Sequence, residues 1–283
     1  MIQHSFIHMQ GVGKATEEKL WHRGITTWSL YEEAHERGEK LPMPGTVLPG
    51  IRTSRRRYEE GDLLHFQGLM PAGEAWRLFP GFQETTCYLD IETTGDGPWC
   101  DITTIALYDG NTVRTYVNGE NLADFAEAVS GFTTVVTYNG KCFDIPVIRR
   151  VLGIPMEMAH IDLRYVLGSL GIKGGLKRCE ETLGMGRTDL AGVDGSSAVV
   201  MWDRYRQSGD RRYLETLLAY NVADTVNMEP LLVEACRMRR NALPEGARFP
   251  LPTPGSPRLP YAPDHGVIEE MRRIYRSSHG NLW

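Results

Sequence analysis

A chain of 283 residues with 41% hydrophobic and 24% charged residues has the make-up of a globular protein, long enough for one large or two modest domains. Its net charge of -5 excludes no partner class, because an acidic protein can still cluster basic residues against a nucleic acid. Five scattered cysteines with no C-x-x-C argue against zinc and for a reducing compartment, and no segment approaches the ~20 apolar residues of a membrane span.

Taken in order, the start Met1-Ile2-Gln3-His4 lacks the charged-then-apolar pattern of a signal peptide, and a cytoplasmic protein is expected. Residues 1–80 predict a small all-helical module. Its first helix carries Ala15, Leu20 and Trp21 and stops at Gly24; a second, Thr27 to Arg37, has Trp28, Leu30, Tyr31 and Ala34 at helical spacing. The preceding Gly11-Val12-Gly13 resembles the turn of a helix-hairpin-helix motif. There glycine amides approach a phosphate, and Lys14 would add a cation. The same residues also suit a plain glycine turn before a structural helix. Leu41-Pro42-Met43-Pro44-Gly45 reads as a loop, and Arg55-Arg56-Arg57 as the solvated start of a helix running through His65-Phe66. Trp76, Leu78, Phe79 and Phe82 form an apolar cluster suited to packing the module on the next domain.

From residue 85 strands and helices alternate. Thr85–Leu89 leads into Asp90-Ile91-Glu92 as a buried strand, turned off at Gly95. Strands Ile102–Tyr108 and Val113–Val117 flank Asp109-Gly110-Asn111, a hairpin signal. A helix over Asn121–Ser130 is succeeded by a strand over Thr133–Thr137. Helices then fall around Asp144–Leu152, Asp162–Gly168, Gly175–Leu183, Ser197–Gln207 and Arg211–Arg240, with a kink expected at Pro230. The fold class is α/β, a mixed sheet flanked by helices. Residues 241–263 are proline-rich and read as extended surface chain; Val267, Ile268, Met271, Ile274 and Tyr275 mark a short terminal amphipathic helix that docks on the body.

Three stretches offer carboxylates. Asp90 and Glu92, two apart on a strand, project to one side, where they repel unless a cation such as a divalent metal neutralises them. An acidic strand end without a metal is the other reading of that pair. Asp144, after Tyr138-Asn139-Gly140, reads alone as a helix N-cap. Tyr220 and Asp224, four apart on a helix, share a face.

In this order the set Asp90/Glu92, Asn139/Asp144 and Tyr220/Asp224 resembles the three motifs of the DEDD superfamily of 3′–5′ exonucleases, the DnaQ-like enzymes of ribonuclease H-like fold. The tyrosine resembles the DEDDy branch, the match covering about residues 85–235. His160-Ile161-Asp162-Leu163 and Gly174-Gly175-Leu176-Lys177 through Leu183-Gly184 resemble its passage between second and third motifs. With the Gly-Val-Gly module, the chain is similar to the stand-alone YprB-type group. The resemblance implies an exonuclease domain over 81–240, between the helical module (1–80) and a Pro-rich tail with a short helix (241–283). It implies two Mg²⁺ or Mn²⁺ ions, the hard ions that oxygen donors favour. Asp90 would bridge both, Glu92 and Asp224 would complete the first, and Asp144 would hold the second. Tyr220 would orient the attacking water, with Thr93 and Asn139 near the terminal nucleotide. The implied partner is the single-stranded 3′ end of DNA or RNA. A structure-selective or flap endonuclease, or a non-catalytic end-binding module, are the alternative readings. Asp162 reads as an N-cap rather than a fifth ligand. His160 suits the site's margin or the sheet, and Lys173, Lys177 and Arg178 suit either a nucleic-acid path or solvent.

Overall fold

The computed structural model describes residues 1–186, 190 and 192–279. Four helices precede the sheet: α1 (Lys14–His22), α2 (Trp28–Glu36), α3 (Val47–Glu59) and α4 (Leu63–Leu69). Gly13 is the N-cap of α1, and Thr27 caps α2 by accepting from the Leu30 amide. One expectation is corrected in this region. The helix expected to open at Arg55 begins at Val47 and stops at Glu59, and α4 is separate. Pro49 lies in the first turn of α3, where its missing N–H costs no helical bond. Gly61, at φ +70°, ends the run, and Asp62 caps α4 through the His65 amide. The arginine triplet faces outward, with Arg55 on Glu32, Arg56 on Glu60, and Arg57 on Glu60 and Asp62.

The remaining elements are β1 (Thr86–Thr93), β2 (Ile102–Tyr108), β3 (Val113–Val117), α5 (Phe125–Ser130), β4 (Thr134–Thr137), α6 (Asp144–Leu152), β5 (Ala159–Asp162), α7 (Leu163–Gly168), α8 (Leu176–Thr182), α9 (Gly195–Ser208), α10 (Arg211–Asn241) and α11 (His265–His279). The five strands form one mixed sheet in the order β3-β2-β1-β4-β5. β1, β2 and β3 are antiparallel neighbours, while β4 and β5 run parallel to β1. α10 continues through Pro230 as one 31-residue helix.

The period of two along β1 decides what each face holds. Cys87, Leu89 and Ile91 pack with Phe125, Val129, Ile145 and Ile148 of α5 and α6. Tyr88 points the other way, toward Met228, Leu231 and Leu232 of α10. Asp90 and Glu92 share that second face, so they meet α10. Among described residues β4 pairs with β1 only as far as the rung Tyr88↔Val136; beyond it β1 continues with one flank open.

The apolar cluster Trp76, Leu78 and Phe79 is fully buried in and just after a 3₁₀ segment (Ala72–Leu78) that packs on β5, α7 and α10. α4 covers the sheet's edge at β5, where Gln67 Oε1 accepts the His160 amide. The closest tie between the N-terminal helices and this segment is ionic. Glu17, 1% exposed, accepts the Phe6 and Ile7 amides at 2.6 and 3.1 Å and both arms of Arg77 at 2.9 Å. Arg77 also reaches Glu74 at 2.9 Å and lies between the Trp21 and Trp76 rings. The proline-rich segment meets the end of β2, where Gly255 N donates to Glu229 Oε2 and the Tyr108 hydroxyl donates to the same oxygen. α11 buries Val267, Ile268 and Met271 in the cluster formed with α9 and α10. All five cysteines are free, and no helix of the described residues is long and apolar enough to cross a membrane.

Removing one partner of a buried pair strands the other charge. Glu17→Ala is expected to lower the free energy of unfolding by about 3–5 kcal/mol, read as a shift of the urea midpoint. A midpoint within experimental error of the unaltered chain would show that the ionic tie is not what holds the segment.

Candidate active site

Where α10 crosses β1, oxygens of Asp90, Glu92 and Asp224 lie within 4.8 Å of one another. Glu92 is 9% exposed and Asp224 7%. Tyr220, one turn before Asp224, lies on the same face of α10 as that carboxylate and feels its charge. Four of the five residues expected to act together are thus gathered by two geometric rules, the strand period and the helical turn. Asp144 stands at the margin of the group. The expectation that it caps its helix is corrected: Phe143 holds the N-cap position, and Asp144 Oδ1 accepts the Ile91 amide at 3.2 Å. That amide lies where β1 has lost its β4 partner, so a buried donor is satisfied by a side chain 53 residues away.

Burial, then the charges of Glu92, Asp144 and Asp224, push the Asp90 carboxyl well above the usual range. Glu92 is driven up by burial and by Asp224 and Asp144, against the pull of Lys177. Asp144 is pushed up to about 7, by burial first; amide hydrogen bonds oppose this and Asp162 adds to it. Burial and the neighbouring carboxylates also hold the Tyr220 phenol far above its ordinary value. A cation among these oxygens would relieve their mutual repulsion. A hard divalent ion such as Mg²⁺ or Mn²⁺ suits a donor set made of carboxylate oxygens.

Asn221, which no sequence motif singles out, and Lys177, expected on a nucleic-acid path or in solvent, complete the surroundings. Asn221, fully buried, donates its amide to Asp90 Oδ2 at 2.6 Å, and the Thr104 hydroxyl fixes that amide by donating to Asn221 Oδ1 at 3.1 Å. Lys177 sets its ammonium 4.4 Å from the centre of the Tyr220 ring and donates to the Val193 carbonyl. The sequence places Asn221 beside Tyr220 but carries no sign of its partner.

The other candidates are dispersed. Thr93 is buried and donates to Gly95 O at 2.6 Å, while Gly95, at φ +150°, turns the chain off β1. Asn139, at φ +66°, accepts from Arg164, and Gly140 packs so tightly that a Cβ would sit 2.3 Å from Thr137 Oγ1. Asp162 is a cap: its oxygens accept the amides of Arg164, Asn139 and Lys141 at 2.8 to 3.1 Å. His160 sits in the sheet on Thr137 Oγ1 at 2.8 Å, its pKa pushed down to about 3 by burial. Gly11, at φ +82°, abuts Pro44, and Lys14 is ion-paired with Glu74 while still 52% exposed.

The RNase_H_2 family profile, described as RNase_H superfamily, matches residues 87–236. No curated protein matches the chain closely enough to count as a relative. Among solved structures, the family B DNA polymerase from the hyperthermophilic archaeon Pyrobaculum calidifontis is similar at a TM-score of 0.42 and 16% identity. That likeness covers 68% of this chain and 29% of the polymerase, so the chain spans less than a third of that protein's length.

A carboxyl whose folded pKa is raised binds more protons when native than when unfolded, so stability is lost as pH rises. For Asp144 the window runs from the ordinary value near ~4 to about 7. Metal-free protein is therefore expected to lose up to about 4 kcal/mol between roughly pH 4.5 and 7.5 from this group, as followed by urea unfolding in EDTA. Asp144→Asn should flatten that slope; an equally steep slope in the variant would assign the loss elsewhere.

Proposed function

The chain belongs to the RNase H superfamily, and from that premise we propose that it is a metal-dependent nuclease of the DEDDy type that releases mononucleotides from single-stranded 3′ ends. The observation that carries this reading is the convergence of Asp90, Glu92 and Asp224 beside Tyr220. In this reading Asp90, Glu92 and Asp224 hold the ion nearest the attacking water and Asp144 serves a second. The ions supply Lewis-acid activation of water and charge neutralisation of the phosphate.

The protein's own residues supply orientation. Asn221 holds Oδ2 of Asp90 and so fixes the orientation of that carboxylate. In this reading the Tyr220 hydroxyl, on the helix face that carries Asp224, accepts and aligns a water. The phenol thus orients the water, and metal coordination supplies most of its activation. Lys177 places a positive charge over that ring, where it could attract a phosphate oxygen. Thr93 and Asn139 border the terminal nucleotide, the first through its backbone turn and the second through the amide that Arg164 orients. Residues 1–80, with Gly11, Gly13 and Lys14, form a helix-hairpin-helix-like region that steadies the strand. The nuclease domain spans 81–240 and the tail 241–283, in a protein of YprB-type organisation.

End-labelled DNA and RNA oligonucleotides with Mg²⁺ or Mn²⁺ test the proposal. The chain is expected to release mononucleotides, and Asp90→Ala to slow release by roughly a thousandfold, the several kcal/mol that a metal clamp supplies. Equal background degradation by both proteins would sink the reading, and oligonucleotide products would point to endonuclease action. Asn221→Ala should weaken Mn²⁺ binding about tenfold in calorimetry without lowering the melting temperature as far as a core deletion does; unchanged affinity would remove Asn221 from the design.

A further inference from the structure

At the end of β4, on the edge of the sheet where Glu92 also lies, is a cleft of about 500 Å³ lined by Tyr138, Arg164, Tyr165, Gly168, Lys173 and Gly174. We propose that it is a nucleotide subsite for the strand upstream of the scissile bond, a proposal that rests on the nuclease reading and extends it.

Two links run from the cleft toward residues named above. In one, Arg164 donates to Asn139 Oδ1, and Asn139 N donates to Asp162 at 2.8 Å. In the other, Gly174 precedes by three residues Lys177, whose ammonium covers Tyr220. Strands β1, β4 and β5 are parallel, so the chain segments after β4 and β5 emerge at the same edge of the sheet as Glu92.

The lining chemistry selects one ligand class. Among the described residues no carboxylate lines the cleft, in contrast to the three of the acid cluster. Arg164 and Lys173 supply positive charge, and two phenol rings supply flat apolar faces. Tyr138 is a fixed wall: its hydroxyl donates to the Gly174 carbonyl and touches Cys179 Sγ at 3.4 Å. Tyr165 is 38% exposed, with Lys141 Nζ 5.9 Å from its ring centre. Gly174 sits at φ +126° against the Arg178 side chain, where a Cβ would meet it at 2.7 Å, so a side chain there would be both strained and obstructed. A ligand carrying an aromatic ring and an anion a few ångströms apart fits these walls, and the volume lies within the ~300–1,000 Å³ of small-ligand sites. A nucleotide unit of a single strand has that composition: its base is free to stack on Tyr165, and its phosphate meets Arg164 and Lys173.

The test is equilibrium binding of a fluorescein-labelled thymidine octamer, read by anisotropy in EDTA so that nothing is cleaved. Tyr165→Ala is expected to raise Kd about tenfold, and Tyr165→Phe, which keeps the ring, to stay within about twofold of the unaltered chain. Lys173→Ala should weaken binding and lower the salt slope by roughly one. The exposed ring predicts an unaltered melting temperature for Tyr165→Ala, which separates lost stacking from lost fold. Tyr165→Ala binding as tightly as the unaltered chain, or Tyr165→Phe weakening as much as Tyr165→Ala, overturns the subsite, as does failure of the unaltered chain to bind the octamer. Binding with the expected pattern but no mononucleotide release in Mg²⁺ or Mn²⁺ overturns the nuclease reading and leaves the subsite standing.

Discussion

Like charges held together away from water set the terms for the rest of this molecule. Asp90, Glu92 and Asp224 repel one another and have lost much of their hydration, a cost that no chain accepts at random. Much of the surrounding structure can be understood as what makes the arrangement tolerable. Asn221 donates to Asp90, Lys177 offsets Glu92, and the Ile91 amide draws Asp144 toward the open flank of β1. The apolar face between Tyr88 and α10 supplies the packing that keeps the two carboxylate-bearing elements pressed together.

The parts of this site that are legible in the sequence are those governed by local periods. Asp90 and Glu92 share a face because strands alternate, and Tyr220 reaches Asp224 because helices turn every 3.6 residues. The hairpin at Asp109-Gly110-Asn111 and the long helix from Arg211 come from equally local signals. The hidden parts depend on distance along the chain. Thr104 and Asn221 are 117 residues apart, Asn221 and Asp90 131, and no period links them. Asp144 resembles a cap in the sequence for the same reason, since the amide it satisfies belongs to a strand 53 residues earlier. The early start of α3 is masked because proline reads as a breaker, although in a first turn it breaks nothing.

The N-terminal helices show a related economy. Lys14, singled out as a cation for phosphate, is shared with Glu74, and Glu74 belongs to the ionic knot around Arg77. The turn before α1 and the 3₁₀ segment that packs on β5 are therefore connected through one buried guanidinium, with indole rings on its faces.

The length of α10 has a geometric consequence. At 1.5 Å per residue its 31 residues span about 46 Å, with Tyr220 and Asp224 in the first half and the contacts to the Trp76 segment in the second, where the Trp76 carbonyl meets Cys236. One helix thus carries part of the acid cluster in its first half and meets the seat of the N-terminal helices in its second, with Pro230 between them. The helix therefore fixes the spacing of the two regions: Asp224 and Cys236, twelve residues apart, lie about 18 Å from each other along its axis.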